Sequence, residues 1–462
     1  MTTLSPQHVA IINVDDSTAL FLHTETLQIY PFSRDNIILQ FLICFKEKGA
    51  TETEKIYGEE QYRELYSYIL KTLSEAPASV DGKSTDEPSF ATINLPISSH
   101  CNLNCPYCFA QTDGGFHFDN YSPRDIENVI EFIVTKSSLK EYTLVFFGGE
   151  PLLNLDIIKY TINYVHEHYP EKKFSFSMTT NGTILNPSII SLIKENNISV
   201  LVSIDGPDND ANLRFFRNGR KSIDVVLANI KTLQQNGINV MARATLVNTN
   251  PHILETFRFF EDELRVPFAI EFVQESENTT HSFDKYDAAI INNIKTQLDK
   301  VEQYYIEKIQ SKRDIRNYEL IRHIEILRYR QKKHICCGAG NSYFTVTADG
   351  DVFVCPIFMN NKEHAIGNIH EQIDNEKLSA YRSSSVDKMS ECQDCWAKYL
   401  CNGGCIAQKI ISGKRNDQSL PMGDCSLQKT IWEFYIRLYY YIMRYAPQYL
   451  IKDNAKKDIP SC

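Results

Sequence analysis

Between residues 8 and 33 the apolar positions come in short runs. Val9-Ala-Ile-Ile-Asn-Val14 and Ala19-Leu-Phe-Leu22 flank the turn-like Asp15-Asp16-Ser17, and Leu27-Gln-Ile-Tyr-Pro31 offers a further run. Apolar runs broken by turn residues predict a small β-ribbon. The period then lengthens. Asp35 to Lys48 has helical spacing, with a start at Ser33 or Asp35 and a stop at Gly49. Thr51 to Gly58 and Glu60 to Leu73 read as two more helical pieces. Ser74 to Ser89 has no apolar period and is rich in Ser, Pro, Asp and Gly, as linkers are.

From Phe90 strand-like and helix-like stretches alternate. The predicted strands are Thr92–Ile97, Tyr142–Phe147, Phe174–Thr179, Val200–Ile204, Asn239–Leu246 and Phe268–Val273. Helical patterns follow them at 123–136, 155–168, 188–196, 222–236, 252–264 and 286–311. Such alternation predicts a parallel sheet with helices outside, an α/β fold. Residues 313–333 are charged with helical spacing. Thr345-Val-Thr347 and Val352-Phe-Val354 flank a hairpin turn at Asp349-Gly350, and an aromatic-rich helix is expected from Leu427 to Tyr445. The chain therefore divides into a front module at 1–75, a linker at 76–89, an α/β body at 90–312, a bridging helix at 313–335, a cysteine-rich domain at 336–430, and a helix with tail at 431–462.

Composition narrows the function classes. A 462-residue chain that is 43% hydrophobic supports more than one domain and a sizeable core. A net charge of −10 argues against a nucleic-acid partner. No stretch of about 18 uncharged apolar residues is present, as a membrane span needs. The apolar stretch Ile431 to Tyr445 is broken by Glu433, Arg437 and Arg444. The start, MTTLSPQHVA, lacks the basic and then apolar segments of a secretion signal. A cytoplasmic location without membrane attachment is expected. There, clustered cysteines mean metal or catalysis more often than disulfides. Of thirteen cysteines, three lie at 101–108 and eight at 336–425. Cys44 reads as a core thiol.

Cys101, Cys105 and Cys108 are spaced C-x3-C-x2-C, with Tyr107 before the last. Three close thiolates can hold three irons of a four-iron cubane and leave the fourth open for a small molecule. A zinc site, the alternative, wants four ligands, usually as two separated pairs. This loop, at the C-terminal end of the first barrel strand, resembles the signature of the radical S-adenosylmethionine (SAM) enzymes. That resemblance implies a partial (β/α)6 barrel whose first cluster, held by Cys101, Cys105 and Cys108, chelates SAM through its open iron. Phe147-Gly148-Gly149-Glu150-Pro151 is similar to the family's GGEP segment, which meets the SAM amino group through its glycines and Glu150. Thr180, Asn181, Ser203 and Asp205, in TTNG and SIDGP segments at strand ends, are by the same resemblance assigned to the SAM carboxylate and ribose. As residues alone, they also suit strand-end caps and turns. Arg214 stands where the family has an arginine, and the following NGRKS departs from the family's NGxGS. Arg243 is assigned to the SAM carboxylate, with a partly buried salt bridge as its alternative.

The second group reads Cys337-x12-Gly350-x4-Cys355, Cys392-x2-Cys395-x5-Cys401-x3-Cys405 and Cys425. Alone, Cys392 to Cys405 would also suit a zinc ribbon. The whole is similar to the SPASM domain of peptide- and protein-modifying radical SAM enzymes. By that pattern one auxiliary [4Fe–4S] cluster takes Cys337, Cys355 and Cys405, and another takes Cys392, Cys395, Cys401 and Cys425, three clusters in all. The first set counts three thiolates unless Cys336 also binds; neighbouring cysteines diverge in most backbone conformations, so an open iron on the first auxiliary cluster is the expectation. The front module looks like the winged-helix-like leader-binding domains that add a precursor peptide as a strand to their ribbon.

The resemblance implies a maturase of ribosomally made peptides, similar to those that form thioethers in cysteine-rich peptides. Its partners would be a leader-bearing precursor and an electron donor such as flavodoxin or ferredoxin. Carbon–carbon or carbon–oxygen crosslinking and sulfatase maturation are alternatives. Against the last, about 100 residues precede the first cysteine loop, and Pro356 stands after Cys355 where an acidic base is expected. A non-catalytic iron–sulfur or zinc protein that binds peptides is the reading from another class.

Overall fold

The computed structural model describes residues 4–75, 80–81, 88–110, 118–208, 210–248, 250, 252–273, 286–382, 385–411 and 422–450. Most of the predicted linker at 76–89 and the tail 451–462 lie outside them. At the front, β1 (Val9–Asn13), β2 (Thr18–His23) and β3 (Gln28–Ser33) form an antiparallel ribbon in the order β1-β2-β3. The first turn is held by the Asp15 carboxylate, which accepts from the Ser17 and Thr18 amides at 2.8 and 2.7 Å. Both ribbon faces are used. Ala10, Ile12, Leu20 and Leu22 join the main core, while Val9 and Phe21 pack with Phe41, Phe45 and Leu73 of the helices. The Arg34 amide donates to Ser17 O at 2.9 Å, and the pairing runs on from there as Thr18 with Ser33 and Leu20 with Pro31. That alternation turns the Pro31 nitrogen away from β2, where a strand tolerates proline.

α1 (Ile37–Tyr57) is capped by the Asn36 side chain, which accepts from the Ile38 amide at 2.9 Å, and not by Ser33 or Asp35. The stop predicted at Gly49 is a kink at φ 77°, so two of the expected pieces form one bent helix. α2 follows at Glu59–Glu75.

The body contains β4 (Thr92–Ser98), β5 (Glu141–Gly148), β6 (Lys173–Thr180), β7 (Ser199–Ser203), β8 (Val240–Leu246) and β9 (Phe268–Phe272). They pair in parallel and in chain order. α3 (Pro123–Lys136), α4 (Leu155–His168), α5 (Pro187–Glu195), α6 (Ile223–Gln235), α7 (Ile253–Arg258) and α8 (Ala288–Gln310) intervene as expected of (β/α) units. α3 starts with a capping box between Ser122 and Asp125. On β8, Val240, Ala242, Ala244 and Leu246 are buried toward the helices, while Met241, Arg243 and Thr245 alternate onto the less covered inner face. The helix expected over 252–264 becomes a π-helical turn from Phe259. There the buried Glu261 accepts from the amides of Arg316 and Asn317, at 3.0 and 3.1 Å, and pairs with Lys308 at 3.2 Å.

One joint was not foreseen. The hairpin β10 (Tyr343–Val346) and β11 (Val352–Phe353) belongs to the cysteine-rich domain, yet β10 pairs in parallel with β4, extending the sheet to the order β9-β8-β7-β6-β5-β4-β10-β11. Phe344 stacks on Phe90 with ring centroids 4.2 Å apart, and the Tyr121 hydroxyl donates to Val346 O. α9 (Tyr318–Tyr329) occupies the predicted bridge. The last helix, α10 (Met422–Tyr445), begins well before 431 and packs on α8 and α9, with Arg437 pairing Glu302 at 2.6 Å. Among the described residues no helix is long and apolar enough to cross a membrane.

Phe344 is fully buried at this joint. Phe344→Ala should destabilise the protein by about 3–5 kcal/mol, the usual cost of emptying a phenylalanine site. Tyr68→Ala, at a side that is 56% exposed, should change stability by no more than about 0.5 kcal/mol. Thermal melting of both variants against the parent measures this, and equal midpoints for the two would refute the joint's importance.

Candidate active site

The cysteine loop follows β4 directly, and its first residues lie on the two glycines that end β5. The Gly149 amide donates to Ser98 O and the Glu150 amide to His100 O, both at 2.8 Å. A Cβ on Gly149 would lie 2.3 Å from His100 O, and one on Gly148, at φ 121°, 2.7 Å from Ser98 O. The glycines are therefore required by the approach of the loop backbone itself. The far side of the loop pairs with the segment after Arg214. Asn104 N–H donates to Phe215 O at 2.8 Å and Arg217 N–H to Asn102 O at 3.2 Å, while the Arg217 guanidinium donates to Cys101 O at 2.7 Å. The NGRKS stretch makes a tight hairpin there, turning at Gly219 with φ 79°.

Between Cys105 and Cys108, Tyr107 points inward and is buried. Its hydroxyl donates to Asp205 Oδ2. Asp205 Oδ1 accepts from the Arg214 guanidinium at 3.0 Å and from the Thr245 amide at 3.0 Å. The guanidinium also lies over the Tyr107 ring, 5.5 Å from its centroid. Both carboxylate oxygens of the fully buried Asp205 are thus engaged, and Asp205 and Arg214, assigned from the sequence to SAM, are tied to the cysteine loop. Burial pulls the Arg214 pKa down, but the charges of Asp205, Tyr107 and Cys105 more than offset it, keeping the guanidinium charged.

Glu150 is likewise turned inward. It accepts from Thr180 Oγ1 at 2.8 Å and from the amides of Asn181 and Leu152 at 2.7 and 3.1 Å. Burial lifts its carboxyl to about 7 despite those donors. Its side chain thereby ties the end of β5 to the TTNG segment. Asn181 reaches the cysteines: its amide nitrogen donates to Asn102 Oδ1 at 2.8 Å and to Cys101 Sγ at 3.7 Å, and the Leu103 amide donates to the same sulfur at 3.4 Å. Ser203 and Arg243 are register partners on neighbouring strands at the inner face. Arg243 pairs with Glu271 on β9, so the salt bridge weighed from the sequence is formed.

The donor set suits a soft-metal cluster. Burial is the main cause that lifts the Cys101 thiol to about 11 and the Cys105 thiol to about 12; neighbouring loop cysteines act in the same direction, and Arg214 opposes the rise at Cys105. Three neighbouring, half-buried sulfurs with N–H groups aimed at one of them fit an iron–sulfur cubane. Among the described residues no three His, Cys, Asp or Glu side chains converge on one point. A cubane does not ask that of them, since each of its irons takes its own thiolate.

Within the second group some of the cysteines lie near one another. Burial lifts Cys401 to about 12, and Cys425, Cys395 and Cys392 lie close enough for their charges to add to it. Cys405, raised by burial to about 11, feels Cys337. Cys355 opens a short 3-10 turn through Pro356. Cys336 departs from the expectation that adjacent cysteines diverge: its thiol is hydrogen-bonded to Cys337, and it senses Cys405 and Cys401. A cavity of about 180 Å³ joins these thiols to the barrel, lined by Glu271, Glu319, Cys401, Cys405, Cys425 and Tyr435 among others. Glu271 and Tyr107 were not singled out as working residues from the sequence. The aromatic in the cysteine loop was visible, but its buried partner sits far along the chain.

Residues 95–260 match the Radical SAM superfamily, and residues 336–396 match SPASM, an iron–sulfur cluster-binding domain. The cysteine-type anaerobic sulfatase-maturating enzyme of Clostridium novyi is 27% identical over 70% of this chain and 89% of its own length. The radical SAM cyclopropyl synthase TigE of Paramaledivibacter caminithermalis is 26% identical over 73% of this chain and 72% of its own. Among solved structures, anSMEcpe with bound AdoMet and Cp18Cys peptide superposes with a TM-score of 0.62 at 18% identity, covering 79% of this chain and 99% of that one. Streptococcus suis SuiB bound to precursor peptide SuiA gives 0.53 at 16% identity, covering 91% and 98%. At such identities the two structures speak to the fold.

Two measurements probe the site. Tyr107→Phe strips a donor from a buried carboxylate and should cost about 1–3 kcal/mol. It should also speed iron loss to a chelator from the reconstituted protein. Wild-type iron retention would count against the clamp. Glu150 titrates near 7 when folded against an ordinary value of 4.5. Between these values the folded chain holds the extra proton, so this group makes stability fall as pH rises from about 4.5 to about 7. Glu150→Gln should flatten the pH dependence of the melting midpoint across that window.

Proposed function

We propose that this radical SAM enzyme, whose barrel carries a SPASM iron–sulfur domain, acts on a ribosomally made precursor peptide and closes thioether bridges from cysteine sulfur to peptide carbon. Three [4Fe–4S] clusters are assigned: one on Cys101, Cys105 and Cys108, one on Cys337, Cys355 and Cys405, and one on Cys392, Cys395, Cys401 and Cys425. When bound, the first cluster and SAM together supply a 5′-deoxyadenosyl radical able to take a hydrogen atom from an unactivated carbon. The chain's own share is positional. Tyr107, Asp205 and Arg214 fix the loop, Asn181 steadies Cys101, and the Gly148-Gly149 backbone with Ser203 and Arg243 borders the cofactor at the inner face. The ribbon β1–β3 takes the leader as an added strand. A flavodoxin or ferredoxin supplies the electron.

The observation that carries the reading is the cavity running from Glu271 on the last barrel strand to Cys405. It supports a peptide passing between the radical-forming end and a set of auxiliary thiols one short of four. Two structures of the same fold, anSMEcpe with Cp18Cys peptide and SuiB with precursor peptide SuiA, hold a bound peptide, which agrees with this. Likeness to a cyclopropyl synthase favours a second reading, carbon–carbon bond formation within a peptide. Likeness to sulfatase-maturating enzymes is of similar size, but Pro356 stands where their acidic base is expected.

Anaerobically reconstituted protein with dithionite and SAM should release 5′-deoxyadenosine, and Cys101→Ala, Cys105→Ala or Cys108→Ala should abolish that release. No release from the parent would sink the enzyme assignment. With its precursor, the peptide should lose two hydrogens per bridge and its cysteines should resist alkylation. A mature product with free cysteines would exclude the thioether.

A further inference from the structure

The hairpin from Phe215 to Lys221 does more than close a turn. From Leu213 to Ile223 the chain carries four cations and no acid, although its net charge is −10. Arg214 is drawn inward to Asp205. Arg217, Arg220 and Lys221 are exposed, and among the described residues none of them is in an ion pair. The turn at Gly219 and the pairing of Phe215 with Lys221 hold all three on one short hairpin. The Arg220 guanidinium lies over the half-buried Phe216 ring, 4.6 Å from its centroid. Cations with an aromatic ring beneath them make a surface suited to an acidic protein partner. The hairpin is also bonded to the cysteine loop. Leu103 bridges to Phe216, and the Arg217 guanidinium donates to Cys101 O at 2.7 Å. From that carbonyl the covalent path to the Cys101 sulfur stays within one residue. No residue of the hairpin borders the cavity between Glu271 and Cys405. Its charge therefore faces a partner other than the peptide in that cavity.

We infer that Arg217, Arg220 and Lys221 form the docking surface for an acidic protein that carries single electrons on a flavin or an iron–sulfur centre. The inference rests on the reading that such a donor supplies the electron, and deepens it by giving the donor a place. The step is one transfer. The reduced donor loses one electron, the cluster assigned to Cys101, Cys105 and Cys108 gains it, and no bond is made or broken. Two requirements meet at this hairpin. Exposed cations steer an acidic partner to one spot, and the acidic remainder of the chain turns it away elsewhere. Electron tunnelling falls steeply with distance, and here exposed surface comes within one hydrogen bond of the backbone of a cluster cysteine.

The test uses reconstituted holoprotein and an acidic flavodoxin. Dye-labelled oxidised flavodoxin, titrated with the enzyme and followed by fluorescence anisotropy, reads docking directly. The double variant Arg220→Glu/Lys221→Glu should bind at least about tenfold more weakly, and added salt should weaken the parent more than the variant. Release of 5′-deoxyadenosine from SAM reads the electron. With flavodoxin hydroquinone below saturation, the double variant should be at least about tenfold slower. With photoreduced deazariboflavin, an uncharged reductant, it should match the parent. Lys221→Glu alone, which leaves the contact between Arg220 and Phe216 in place, should show the same pattern at smaller size. Equal flavodoxin affinity in parent and double variant would overturn the inference. So would an equal loss with both reductants, which would give the hairpin a purely structural part. Weaker binding of the precursor at unchanged flavodoxin affinity would assign the surface to the peptide and overturn it too. A parent that answers to deazariboflavin but to neither flavodoxin nor a ferredoxin would sink the donor reading itself, whereas equal affinities in parent and variant sink the docking surface alone.

Discussion

A buried carboxylate with both oxygens engaged organises the mouth of this barrel. Asp205 sits at the end of β7 with no exposure and gathers a phenol from the cysteine loop, a guanidinium from the loop beyond β7, and a backbone amide from β8. An unpaired charge there would cost several kcal/mol. Each partner is therefore held as firmly as it holds Asp205. Cys105 and Cys108 flank the residue so gripped, and their position is set by an interaction that needs no metal. Glu150 plays the matching part on the other side, tying the end of β5 to the TTNG segment whose Asn181 touches Cys101. Two buried acids thus fix the loop from both flanks before any cluster is present.

The same economy appears where the two halves of the chain meet. The cysteine-rich domain does not hang from the barrel by a linker. It is stitched into the sheet through β10, and α10 returns across α8 and α9 to close the far side. The mouth of the barrel and the auxiliary thiols are then parts of one rigid wall, with a cavity between them. Radical chemistry needs that fixed distance, because a reactive intermediate must meet its intended partner before it meets water.

Much of this was legible in the sequence because it is local. The strands β4 to β9 and their helices follow from periodicity, and the body helices α3 and α4 fall on their predicted bounds. The cysteine spacings speak for themselves. What escaped was non-local. Nothing around Asp205 says that its partner is Tyr107, and the acidic residue reads equally well as a cofactor ligand until its burial is known. The pairing of Tyr343 with Thr92 joins strands more than half the chain apart. The kink at Gly49 and the π-helical turn at Phe259 look like a stop and a plain helix, since tertiary contacts decide between such alternatives.

The stitching of β10 onto β4 has a consequence for how the protein comes into being. β4 is made early and β10 late, so on the ribosome the edge of β4 stays unpaired until most of the chain has emerged. An open parallel edge is a hazard for association with other chains, and contacts this distant in sequence form slowly. The radical-forming loop grows from the end of that same strand, but all the partners that hold it are made by Thr245, so it does not wait for β10. The half-built sheet, with that edge still open, is the natural client for a chaperone.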